Sequence, residues 1–178
     1  MITLIIVDCQ VDFITGSLAV SGATEAIEAI KTYIKANKDN IDRVIFTMDW
    51  HPYKHCSFSI NGGKWPVHCV HHTAGASIDF SLITLIDSLN IPYTVSMKGT
   101  EKNWEQYGAF TRTQLLLFKI KNPVVICGIA GDYCVKETIR NLISFGKIYP
   151  KVFLKGIASI DDGSAIKETI DKYKLETI

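Results

Sequence analysis

Five short apolar runs, Leu4–Val7, Val44–Thr47, Tyr93–Ser96, Val124–Cys127 and Val152–Leu154, recur along this chain with helical patterns between them. A run that is apolar at consecutive positions buries both faces of a strand, as happens in a parallel sheet covered by helices on both sides. Parallel neighbours must be joined by crossovers, which are right-handed in almost all folds. Ala26, Ile27, Ile30, Tyr33 and Ile34 mark one face of the first crossover helix, with Thr24 as its N-cap. Further helices are expected over Ile78–Leu89, Arg112–Lys119, Asp132–Phe145 and Ser164–Lys174. Asn90-Ile91-Pro92 and Lys121-Asn122-Pro123 stop the helices that precede the third and fourth runs. The expected fold is a three-layer α/β/α domain over residues 1–178, with a mostly parallel sheet of five or six strands. Leu175–Ile178 would supply a short edge strand.

A chain of 178 residues that is 47% hydrophobic and 21% charged has enough material for one packed core. Its formal net charge of +1 gives no electrostatic reason to expect nucleic acid or an acidic membrane surface as a partner. The apolar start Met1–Val7 runs directly into Asp8 without a basic lead-in, so it reads as a first strand rather than a leader or a span. Five cysteines without disulfide or zinc-ribbon spacing fit a reducing cytoplasm. The expected partner is a small molecule, and the sequence leaves a homo-oligomer open.

In a parallel sheet the C-terminal strand ends share one edge, where such folds keep their ligands. That edge would carry Asp8, then Asp49 with His51, then Lys98, then the turn leading to Cys134. Cys134 lies where a helix begins, and a helix N-terminus can stabilise a thiolate. The competing reading is a small buried hydrophobe in the first helical turn. Asp8 would take the thiol proton if burial raises its pKa, and Lys98 would hold the pair together. A purely structural ion pair of Asp8 and Lys98 is the alternative. The segment Asp49–Ser77 has little periodicity and contains all five histidines. A stretch of that length without regular structure is usually functional. Asp49 and His51, two apart on an extended segment, point the same way. His68 completes a set of two imidazoles and one carboxylate, suited to zinc, iron or manganese with positions left open. His55, His71 and His72 read as loop or rim residues.

These residues resemble the nicotinamidase/pyrazinamidase group of the isochorismatase-like cysteine hydrolases. The likeness spans nearly the whole chain. It is carried by Val7-Asp8-Cys9-Gln10-Val11-Asp12-Phe13 with Gly16–Val20, and by Thr47-Met48-Asp49-Trp50-His51-Pro52 with Ser57-Phe58. It continues in Trp65-Pro66-Val67-His68-Cys69-Val70, Lys98-Gly99-Thr100 and Gly128–Val135. The resemblance implies Asp8 as base, Lys98 as its partner and Cys134 as nucleophile, with Asp49, His51 and His68 as metal ligands. Ser57 aligns where some relatives place a further ligand and would act only through a water. The Ile129–Ala130 peptide aligns with one that is cis in the family, and the Ala130 and Cys134 N–H groups would form the oxyanion hole. Phe13, Trp65 and Tyr107 match positions lining a pyridine pocket, with Ile129 beside it; on sequence alone each aromatic is more often a core residue. Two departures stand out: Gly131 where many relatives have threonine, and His71-His72-Thr73-Ala74-Gly75 in place of a glycine-threonine-proline-glycine stretch.

The resemblance implies hydrolysis of nicotinamide, and of pyrazinamide, to the acid and ammonia through a cysteine thioester, as a step of NAD salvage. A divalent metal, zinc before iron or manganese, would hold the ring nitrogen. Three rival readings remain at this level. One is a related amidohydrolase acting on a carbamoyl or ureido compound. Another is a metal-binding or redox module without a catalytic cysteine. The third is a metallohydrolase whose nucleophile is a metal-bound water.

Overall fold

The apolar runs become the strands β1 (Ile2–Val7), β2 (Ile41–Asp49), β3 (Tyr93–Lys98), β4 (Val124–Ile129) and β5 (Lys151–Ala158) of one sheet. The computed structural model describes all residues 1–178. The strand order is β3-β2-β1-β4-β5, and every neighbouring pair is parallel. β1 therefore lies at the centre, and its apolar run is sealed on both faces. Leu4 and Ile6 enter one core with Ile27, Ile30 and Ile34 of α2 (Ala23–Asn37) and with Leu82 and Ile86 of α3 (Phe80–Ser88). Ile5 and Val7 enter the opposite core, beneath α4 (Arg112–Phe118), α5 (Lys136–Gly146) and α6 (Ser164–Tyr173). All four of these β1 side chains are fully buried, each worth about 1.5–3 kcal/mol in transfer free energy.

The edge strand β3 alternates exposed Tyr93 and Met97 with buried Ser96 and Lys98. The tail forms one parallel bridge, Val152 to Thr177, rather than a full sixth strand. A short helix, α1 (Val11–Ile14), directly follows the β1 turn and has no counterpart among the expected helices.

Several boundaries differ from the sequence expectation. α2 begins after Gly22, whose φ is 77°, and Thr24 makes no capping bond; the helix starts two residues earlier than a threonine cap would place it. α3 begins at Phe80 rather than Ile78, because the Asp79 side chain accepts the Leu82 N–H at 3.1 Å and sets the first turn. The expected helix from Asp132 starts instead as a π-helical turn over Gly131–Val135, which passes into α5. The segment between Asp49 and Ser77 is ordered by the bridges His51 to Val70 and Phe58 to Trp65 and by two 3₁₀ turns.

Candidate active site

Strand register brings the reactive residues together. Val7 pairs with both Thr47 and Gly128, and Asp49 pairs with Lys98. Asp8, one residue past β1, and Cys134, in the turn after β4, therefore meet the last residues of β2 and β3. Lys98 Nζ lies 2.7 Å from Asp8 Oδ2, 2.5 Å from Asp49 Oδ1 and 3.5 Å from Cys134 Sγ. Asp8 Oδ1 also accepts the Thr47 hydroxyl at 2.6 Å. The Asp8 and Asp49 carboxylates and the Cys134 sulfur lie within 4.8 Å of one another.

This cluster is sealed from solvent: Asp8 is 0%, Lys98 1%, Asp49 4% and Cys134 5% exposed. Removal from water sets the protonation pattern. Burial pushes the Asp8 carboxyl up, against the pull of the Lys98 ammonium. Burial would also raise Asp49, but the Lys98 ammonium and the His51 hydrogen bond hold it well below the usual carboxylate range. Burial alone would lower Lys98, yet Asp49 and Asp8 keep it firmly protonated. Burial pushes the Cys134 thiol well up, and Lys98 opposes this only in part. The balance at the resting sulfur favours the thiol. A neighbouring base is needed to take the proton, and Asp8 is the carboxylate whose affinity for one is raised.

The second cluster adjoins the first through Asp49. Ligand atoms of Asp49, His51 and His68 lie within 4.8 Å of one another, and all three residues are buried. His51 Nδ1 donates to Gly99 O at 2.8 Å, and His68 Nδ1 donates to Pro66 O at 2.8 Å. A carbonyl partner keeps a proton on each Nδ1, so Nε2 is the nitrogen that each ring can offer a cation. Burial would lower the His51 pKa, but the Asp49 carboxylate, 3.5 Å from its Nε2, raises it, so a cation at this ring competes with a proton. With that proton displaced, two imidazoles and an ionised carboxylate suit a divalent ion. Burial lowers the His68 pKa, which keeps that ring neutral. Gly99 has a φ of 61°, and a side chain there would overlap the His51 ring.

Ser57 stands apart from this set, since its hydroxyl is 2.7 Å from His55 Nδ1. His55 is fully buried rather than at the rim. It stacks on His51 with ring centroids 4.0 Å apart, and its Nε2 is 3.1 Å from Trp104 O. Burial pushes the His55 pKa down to about 4. His71 and His72 pack around Trp50 near the surface, as rim residues do.

Phe13, Trp65 and Tyr107 line a cavity over Cys134 and His68. Ile129 does not; its side chain lies in the core below, and only the cis Ile129–Ala130 peptide reaches the site. Ala130 does line the cavity, and its carbonyl accepts the Tyr133 and Val135 N–H groups, which fixes the turn. Leu18, Tyr133, Ile160 and Glu105 also line it and were not anticipated. Trp65 Nε1 donates to the Tyr107 hydroxyl at 3.0 Å, and the Tyr133 ring lies 5.0 Å from Trp65 and 5.4 Å from Tyr107.

Two anchoring residues were also missed. Gln10 donates to Asp49 O and Ala76 O and accepts the Asp49 N–H, each at 2.8 Å. Asp12 accepts the Cys69 N–H at 2.7 Å, next to His68. Both lie in the Asp8–Phe13 stretch, but neither partner is visible from spacing.

The isochorismatase domain model matches residues 3–147 of this chain. The chain belongs to the isochorismatase family. Among its relatives, the Saccharomyces cerevisiae nicotinamidase is 30% identical, over 82% of this chain and 83% of that protein. The Mycobacterium tuberculosis nicotinamidase/pyrazinamidase is 34% identical, over 82% of this chain and 81% of its own length. Among solved structures, the yeast nicotinamidase bound to the inhibitor nicotinaldehyde superposes with a TM-score of 0.84 at 28% identity, covering 100% of this chain and 99% of that one. The pyrazinamidase of Pyrococcus horikoshii in complex with zinc gives 0.81 at 28% identity, covering 99% and 98%. The α/β domain and its thiol–carboxylate–ammonium cluster thus sit in a family whose neighbours include amide-cleaving enzymes.

Proposed function

We propose that this chain hydrolyses nicotinamide to nicotinate and ammonia, and pyrazinamide likewise, through a thioester on Cys134. The observation that carries the reading is one buried site where Cys134, Asp8 and Lys98 adjoin two histidines and a carboxylate beneath an aromatic cavity. Relatives named as nicotinamidases support the choice of amide.

Asp8 takes the Cys134 proton as sulfur attacks the carboxamide carbon. The oxyanion is held by the Ala130 and Cys134 N–H groups. Asp8 then protonates the departing nitrogen, ammonia leaves, and the acyl group stays on sulfur. In the second half Asp8 removes a proton from water as it attacks the thioester, and the thiol is restored. Lys98 keeps Asp8 and Asp49 from repelling each other throughout. Phe13, Trp65 and Tyr107 hold the flat ring. A divalent ion held by Asp49, His51 and His68 would supply a Lewis acid for a ring-nitrogen lone pair. Zinc is our assignment, because the Pyrococcus relative was solved with it.

The activity would serve NAD salvage. All five cysteines are unpaired, which suits a reducing cytoplasm. No helix is long and apolar enough to cross a membrane.

The test is ammonia release by metal-replete protein from nicotinamide, pyrazinamide and a panel of ureides, with intact mass recorded after rapid quench. Nicotinamide turnover with an acyl adduct that disappears in Cys134→Ala is the expected result. Hydrolysis of a ureide alone would assign the enzyme to another branch of the family.

A further inference from the structure

The segment Asn103–Gly108 forms a wall between two spaces. On one side is the cavity over Cys134, lined by Glu105 and Tyr107. On the other is an outer hollow of about 440 Å³, bounded by Trp104–Gly108 together with α4 and α5 residues such as Arg112 and Asn141. The wall's backbone makes one turn bond, Trp104 N–H to Glu101 O, and no sheet or helix bonds. Side chains must therefore hold it in place. Gln106 does so toward the site: its Oε1 accepts the Gly99 N–H at 3.2 Å, and its Nε2 donates to Gly108 O at 3.3 Å. The Gly99 N–H belongs to the peptide that leaves Lys98, and Gly99 O accepts the His51 Nδ1 proton.

We infer that Gln106 is a positioning residue for the metal site: it clamps the Lys98–Gly99 turn whose carbonyl orients His51. This rests on the reading of Asp49, His51 and His68 as metal ligands. A turn held from both sides presents one His51 orientation to a cation. A turn held from one side lets the carbonyl swing, and the ring with it.

The experiment is zinc affinity by competition with a chromophoric chelator on metal-free full chain, for wild type, Gln106→Met and Gln106→Glu. Methionine keeps the length without the hydrogen bonds; glutamate keeps the acceptor for the Gly99 N–H. Gln106→Met should bind zinc about tenfold more weakly, the low end for loss of an outer-shell partner. Gln106→Glu should stay within about threefold of wild type by the same measure. Activity that Gln106→Met loses at limiting zinc should return as zinc is added, so that the defect is one of metal hold. Unchanged zinc affinity in Gln106→Met overturns the inference, as does equal weakening by both variants. If wild type itself takes up no zinc, the ligand assignment fails first and the inference with it.

Discussion

Lys98 is the residue on which the site turns. It is a fully buried cation facing two carboxylates and a thiol, all of them nearly withdrawn from solvent. Breaking a buried charge set by removing one member usually costs about 3–5 kcal/mol, because the remaining charges are left uncompensated. Lys98→Ala should therefore lower both turnover and unfolding free energy, the latter by about that amount in a denaturant titration. Cys134→Ala removes a neutral thiol and should leave stability within about 1.5 kcal/mol, while abolishing turnover. Substantial kcat in Cys134→Ala would favour attack by water instead. Asp8→Asn cannot accept the thiol proton and should lose on the order of a hundredfold in kcat, the scale of a positioned acid–base group. Lys98→Ala and Cys134→Ala separate charge balance from chemistry: the first should fail in both measurements, the second in turnover alone.

At the scale of elements, the turn after β4 is packed too closely to admit a side chain at Gly131. A side chain on Gly131 would run into the Ser159 hydroxyl and come within 2.7 Å of Ile157 Cγ2. Gly131→Thr should cost about 1–3 kcal/mol by overpacking. Pairing it with Ser159→Gly should recover part of that loss in thermal melts. No recovery would mean that the turn itself, rather than its neighbour, rejects the side chain. The strand ends were legible in the sequence because a strand buried on both faces has only apolar residues until the sheet ends; Val7-Asp8 and Met48-Asp49 mark that edge. The histidine set was legible because Asp49 and His51 share one side of an extended exit. Anchors such as Asp12 were not, since its partner Cys69 is 57 residues away and a solvated aspartate looks the same. Nor was His55 legible: its burial depends on Ser57 and on a carbonyl from Trp104, a contact that only the folded chain creates. Gly22 displaced Thr24 as the N-cap of α2 because its positive φ turns the chain into the helix two residues sooner. Asp12→Ala should free the Cys69 amide and with it the His68 segment. A loss of about 1.5–3 kcal/mol is expected, with a reduced metal content by elemental analysis.

Across the whole molecule, metal binding should appear as stability. The three ligands come from the end of β2, the loop behind it and the long crossover, so a bound ion ties together segments that unfolding separates. Purified wild type should carry about one divalent ion per chain, and His51→Ala should carry much less. A zinc concentration a hundred times its Kd should raise the unfolding free energy by about 2.7 kcal/mol, and a chelator should reverse the accompanying shift in Tm. Equal Tm with and without chelator would argue against a resident ion. Benzamide, which offers the ring but no nitrogen, should show a lower kcat/KM than nicotinamide on the same preparation; parity would detach the ion from substrate recognition.

The strand order has a consequence for synthesis. β1 is made first yet belongs between β2 and β4. Until residues beyond Ile129 have left the ribosome, one edge of β1 keeps unpaired N–H and C=O groups along an apolar strand. Such an edge is a template for the wrong partner. A nascent chain arrested before β4 should therefore depend on chaperones, and a fragment ending at Lys121 should form aggregates where the full chain does not.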